Sequence, residues 1–178
     1  MSRDTLDCIA STLWDEGLPP AEVYGYLLAQ FVGTPYVWGG SGLSGADCSG
    51  SVCACLSSVL GTPIRVTADA LYRGWFTEAA DGVASLEGNL AAAFFLDERG
   101  RAVHVAGYRG RGQFVNVSSI EEGRRGAFRS WGELVRMYRG FAPLLRICPL
   151  AGRKAGGKAS LVLRDKLGGG ISGRKEVS

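Results

Sequence analysis

The sequence predicts an α+β fold, with helices first and an antiparallel sheet second. Residues 3–80 carry apolar side chains at helical spacing, broken by Gly and Pro, while residues 91–118 hold short runs of β-formers separated by Asp/Gly or Arg/Gly turns. The chain has 178 residues, 46% hydrophobic and 21% charged, which suits one domain able to bury a core without disulfide staples.

Leu6, Ile9, Ala10 and Leu13 line one side of a helix over residues 3–16, stopped at Gly17. Pro19-Pro20 opens a second helix with Glu22 in its first turn, and Gly33-Thr34-Pro35 closes it. Residues 36–47 contain four glycines and read as a loop. Cys48 to Leu60 is small or apolar throughout and ends at Gly61-Thr62-Pro63, the pattern of a buried helix. Thr67 to Ala80 is expected to form another helix. Strands are expected over Ala91–Asp97, Arg101–Arg109 and Gln113–Ser118. Ser130-Trp131-Gly132-Glu133 has the form of a capping box for a short helical turn, and Arg136–Cys148 is expected to give one or two closing strands.

Charge divides the chain. The net charge is +3, yet residues 151–178 hold seven Lys/Arg against two Asp/Glu and all four lysines (Lys154, Lys158, Lys166, Lys175). The first 150 residues hold 13 basic and 15 acidic residues. A near-neutral domain over residues 1–150 is thus followed by a basic, Gly-rich tail, 151–178, with one apolar island at Leu161-Val162-Leu163. The small net excess does not argue for nucleic acid. No apolar run approaches the roughly 20 residues of a spanning helix, and Met1–Trp14 does not read as a secretory signal. Five cysteines, an odd number, argue against a complete disulfide framework. One histidine, His104, excludes a histidine-rich metal site; Cys48, Cys53 and Cys55 are spaced C-x4-C-x-C, unlike zinc knuckles, so no cofactor is expected.

Cys48 follows a Gly-rich loop and begins an apolar helix, where the helix dipole and unpaired N–H groups favour thiolate. The alternative is a buried, inert thiol, which suits Cys8, Cys53, Cys55 and Cys148. Ser49, Gly50 and Ser51 are small enough to let other backbone approach the first turn. A nucleophilic cysteine needs a base, and His104 is the one imidazole available. Asn116 lies among apolar residues on the next strand. A hairpin symmetric about Gly110 makes 104 and 116 direct cross-strand partners, so that the Asn carbonyl can hold one ring nitrogen and leave the other for the thiol.

Gly33-Thr34-Pro35-Tyr36-Val37-Trp38-Gly39-Gly40, then Asp47-Cys48-Ser49-Gly50, then His104-Val105 with Tyr108, resembles the NlpC family of bacterial cell-wall cysteine endopeptidases over about residues 20–146. The resemblance implies a papain-like core in which a nucleophile helix packs on an antiparallel sheet, with Cys48 as nucleophile, His104 as base and Asn116 as third member. Tyr36 matches a tyrosine aimed at the nucleophile, and Tyr36 or Ser49 is expected to assist the Cys48 amide at the oxyanion. Ala46, Ser51 and Asn89 depart from the family pattern without removing a group the chemistry needs.

The implied activity is hydrolysis of peptidoglycan stem peptides, at the γ-D-glutamyl bond to a diamino acid. Trp38, Asp47, Arg65 and Arg73 are candidate substrate contacts, and Trp75 and Trp131 could wall a groove or fill a core. The expected setting is a phage or phage-like tail tip that opens the wall for DNA delivery. The protein would be made in the cytoplasm without a signal peptide, would use residues 151–178 to bind a tail-tip or hub partner, and would act on the wall in the periplasm or outside. The alternatives are a secreted amidase-type toxin effector and a catalytically silent structural tail module.

Overall fold

The computed structural model describes residues 3–151 and 162–163, and side chains over residues 5–149. Leu6 and Ala10, one turn apart, bury one side of α1 (Arg3–Asp15), which Gly17 terminates in the left-handed region at φ 81°. In α2 (Pro20–Ala29), Pro20 occupies the first turn, where its missing N–H costs nothing, and Val23, Tyr24, Leu27 and Leu28 are buried. The Gly-rich loop contains a minimal hairpin, β1 (Ser41–Gly42) with β2 (Gly45–Ala46). Helix α3 (Cys48–Leu60) is buried along almost its whole length and ends at Gly61, φ 66°.

Helix α4 (Ala68–Gly74) is shorter than the helix expected over Thr67–Ala80. Thr67 caps it as expected, but Trp75 leaves the helical region (φ −124°), which buries Phe76 edge-on against Phe94 with ring centroids 5.4 Å apart. The chain then enters β3 (Glu78–Ala79). Tertiary burial of one aromatic ring overrides local helix propensity here.

The strands β4 (Ala91–Leu96), β5 (Ala102–Gly110), β6 (Gln113–Asn116) and β7 (Ala127–Ser130) follow. The Ser130 capping box does form, with the Ser130 hydroxyl bonded to the Glu133 amide and the Glu133 carboxylate to the Ser130 amide. It launches α5 (Trp131–Met137), so Arg136 is helical and not part of a closing strand. One strand, β8 (Ala142–Ile147), occupies the rest of that segment. A further short pair, β9 (Leu150–Ala151) with β10 (Val162–Leu163), includes two residues of the apolar island. The rest of the basic tail lies outside the described residues.

The main sheet is antiparallel throughout, in the order β3-β8-β4-β5-β6-β7. β4 explains the layering: all six residues are buried, because Phe94 points into the helical layer and Phe95 into a second core. The first core lies among α1, α2, α3 and one sheet face. The second gathers Phe95, Tyr108, Phe114, Leu134 and Tyr138 on the opposite face. This is the α+β, papain-like arrangement, with α3 packed on β5. No helix among the described residues is long and apolar enough to cross a membrane.

α2 also packs on β5, and Gly25 makes the approach possible: a Cβ there would run into the backbone carbonyl of Arg109. Because backbone cannot yield as a flexible side chain does, Gly25→Ala is expected to cost about 1–3 kcal/mol. The check is the denaturant midpoint of the purified variant at unchanged m-value.

Candidate functional site

Cys48 is the first residue of α3, and Asp47 is its N-cap. The buried Asp47 carboxylate is saturated. Oδ1 accepts from the Gly50 amide (2.6 Å) and the Ser49 hydroxyl (3.1 Å); Oδ2 accepts from the Gly39 amide (2.8 Å) and Arg65 Nη2 (3.0 Å). One side chain therefore caps the helix, holds the Gly-rich loop and anchors an arginine. The small residues at the start of α3 admit that loop as expected, since a Cβ on Gly50 would strike the Gly40 carbonyl.

Cys48 is half-buried, and its thiol lies within hydrogen-bonding reach of the Val105 backbone amide, next to His104 on β5. Burial pushes the thiol up to about 11, with the Val105 amide opposing the rise and Asp47 adding to it. Burial also pushes His104 down to about 4, the Asn116 hydrogen bond opposing. Both directions run against the thiolate expected at the helix N-terminus: desolvation opposes the dipole at Cys48 and disfavours the imidazolium at His104.

The His104 ring stacks on Tyr138 (centroids 4.3 Å apart), and its Nε2 lies 2.7 Å from Asn116 Oδ1. The strand geometry behind this contact differs from the symmetric hairpin about Gly110. The turn residues are Arg111 (φ 56°) and Gly112 (φ 71°), a two-residue left-handed turn, and the ladder shifts between Tyr108 and Gly110. Pairing then runs Tyr108↔Phe114 and Gly107↔Val115, a register that sets Asn116 opposite Ala106 rather than His104. Because the slip is two residues, the two side chains stay on one face and meet diagonally.

Behind Asn116 lies a charged pair that no sequence pattern marked. Asn116 Nδ2 donates to Glu121 Oε1 (2.7 Å), and Arg129 grips Glu121 with Nε on Oε1 (3.1 Å) and Nη2 on Oε2. Glu121 is 4% exposed although it follows β6 on a connecting segment. Its only sequence context is Ile120-Glu121-Glu122-Gly123, which reads as a solvated turn.

The other candidates divide. Tyr36 is close enough to Cys48 for their charges to interact, and burial first, then Cys48 and Asp47, raise its hydroxyl above the ordinary tyrosine value, so it is a proton donor at neutral pH. Trp38 is 85% exposed on the same loop. Ser49 spends its proton on Asp47 and accepts from Arg65, so it braces the cap instead of reaching the oxyanion. Arg65 is paired with Asp47, and Arg73 with Asp69 and the Gly100 carbonyl, while both guanidinium groups keep an exposed side. Asp47 is likewise a structural anchor and not a free contact. Trp131 packs in the second core, against Phe95 and Phe114. All five cysteines are free.

The sequence model of the NlpC/P60 family matches residues 33–130. Comparison with curated protein sequences finds no match. Among solved structures, the chain is similar to NlpC2 from Trichomonas vaginalis (21% identity, TM-score 0.57, 72% of this chain and 46% of that one). It is similar also to the P60 domain of antigen MAP1204 from M. avium subspecies paratuberculosis (22%, 0.52, 71% and 93%). A third is RipD from Mycobacterium tuberculosis, described as a non-catalytic NlpC/p60 domain protein adapted to peptidoglycan binding (18%, 0.53, 72% and 97%). The chain spans less than half of the Trichomonas proteins NlpC2 and NlpC1, 46% and 43% of their lengths. At these identities the likeness is one of fold.

A thiol held near 11 is alkylated slowly at neutral pH and faster as pH rises, because only the thiolate reacts. Site-resolved mass spectrometry of iodoacetamide labelling should show the rate at Cys48 still climbing above pH 9. A plateau below pH 7 would instead identify a thiolate–imidazolium pair.

Proposed function

The chain belongs to the NlpC/P60 family, and from that premise we propose that it is a cysteine peptidase that hydrolyses peptidoglycan stem peptides through Cys48, His104 and Asn116. The observation that carries the proposal is the convergence of three groups. Asn116 takes Nε2 of His104 at 2.7 Å, while the Cys48 thiol sits against the amide of Val105, the next residue along β5. With Nε2 engaged, Nδ1 is the nitrogen left to face the thiol.

The reaction begins from the neutral pair. His104 Nδ1 takes the thiol proton as the sulfur attacks the amide carbonyl, so the charged pair exists only once the sulfur's electrons enter the new C–S bond. His104 then returns that proton to the leaving amine. A water, deprotonated by the same nitrogen, attacks the thioester carbonyl; the C–S bond breaks and the sulfur takes that proton back, which restores the neutral pair. The Cys48 amide, one of the orphan N–H groups of the first turn of α3, and the Tyr36 hydroxyl are the donors we assign to the oxyanion. Trp38 offers an exposed apolar face for the substrate on the same loop.

By family resemblance the bond cut is the γ-D-glutamyl link to a diamino acid. RipD shares the fold and is described as non-catalytic. The reading of this chain as an enzyme rests on the presence of all three groups and on the hydrogen bond that joins Asn116 to His104. Delivery by a phage or phage-like tail tip is a separate proposal, supported by the basic composition of residues 151–178. Its test is a deletion of those residues, expected to spare hydrolysis and lose incorporation into particles.

Cys48→Ala should abolish release of peptides from purified sacculi, and mass analysis of the wild-type digest should show cleavage within the stem. Undiminished release by the variant would sink the mechanism; cleavage at the sugar–peptide amide would replace the bond assignment.

A further inference from the structure

Asn116 can hold His104 in either of two ways, and only one of them leaves a base. If Oδ1 faces the ring, it accepts a proton on Nε2, and Nδ1 keeps its lone pair for the thiol. If the amide is turned over, Nδ2 donates to Nε2, the neutral ring must carry its proton on Nδ1, and no basic nitrogen faces Cys48. His104 cannot decide between these by itself, because each ring nitrogen can donate or accept. Tyr138 contributes little, since its one hydroxyl proton is nearer Ser118 (2.8 Å) than Asn116 Oδ1 (3.4 Å).

We propose that Glu121 is a positioning residue that sets the orientation of the Asn116 amide and, through it, the tautomer of His104. Its Oε1 lies 2.7 Å from Asn116 Nδ2 in a buried setting. A carboxylate accepts and does not donate, so turning the amide over would bring two acceptor oxygens together there with no proton between them. Glu121 is itself fixed. Arg129, on β7, holds both of its oxygens in a fork, and β7 pairs with β6, the strand that carries Asn116. The chain of contacts runs Arg129, Glu121, Asn116, His104, and each member allows the next only one orientation.

The kinetic part of this inference rests on the peptidase reading; the tautomer part does not. The chain has one histidine, so specific ¹⁵N labelling gives a single imidazole spin system in which protonated and unprotonated ring nitrogens are distinguished directly. Wild type is expected as the Nε2–H tautomer. Glu121→Ala should admit the Nδ1–H form and lower kcat by about 10- to 100-fold, the usual scale for a group that orients an active residue, with KM unchanged. Should Glu121→Ala fail to fold, two further variants decide: Glu121→Gln alone, and Glu121→Gln combined with Asn116→Asp. The single variant can offer the Asn116 amide either an oxygen or an NH2, so it no longer forbids the turned-over form. In the double variant the carboxylate at 116 can only accept from the ring, which should restore the Nε2–H signal and part of kcat.

An unchanged tautomer in Glu121→Ala, or no restoration in the double variant, overturns the proposal. If wild type shows the Nε2–H form and Glu121→Ala loses it, but sacculi are not cleaved, the positioning role stands and the peptidase reading falls.

Discussion

The site depends on one saturated carboxylate. Asp47 is buried, and its four acceptor positions meet four donors from the first turn of α3, the Gly-rich loop and Arg65. Removing such a group from water is costly unless every lone pair is used and a countercharge is present, and both conditions hold here. The consequence is geometric. The turn that presents Cys48 is held by one oxygen of Asp47 and the loop that presents Tyr36 and Trp38 by the other, so the two cannot drift independently. An asparagine would present an NH2 where two donors already point, which explains why the cap is an acid.

A second polar chain opposes it from the sheet. Arg129, Glu121, Asn116 and His104 are connected by hydrogen bonds and lie between β6, β7 and the aromatic stack of Phe95 and Tyr138. Burial disfavours both the imidazolium and the thiolate. In the proposed mechanism, charge separation is deferred until a substrate enters. The same burial demands that the polar groups satisfy one another, and it draws in Glu121 and Arg129, which act on the site only through Asn116.

The motif-bearing part of the site was legible in the sequence because it is local. Cys48 and Gly50 sit within one turn, and nucleophile position and close approach follow from spacing alone, whereas Asp47, expected as a substrate contact, is the helix cap. The same holds for the helix over 48–60, the capping box at Ser130 and the alternating strand around His104. Legibility failed where a distant partner decided the outcome. Phe76 ended α4 early to reach Phe94. The shift near Tyr108 moved the register by two residues yet preserved the face, so the His104–Asn116 contact survived an incorrect pairing. Arg65, open to substrate as a letter in a chain, is paired with Asp47 from the start of α3.

By itself, then, the sequence determined the fold class, the family, and the three side chains singled out for the site, because hydrophobic period, glycine placement and helix-start chemistry act over a few residues. Tertiary structure alone decided the burial that pushes Cys48 up and His104 down, and the setting of Glu121. Desolvation depends on what covers a group from every side, and a carboxylate is an anchor or a solvated charge according to whether Asn116 and Arg129 are folded against it.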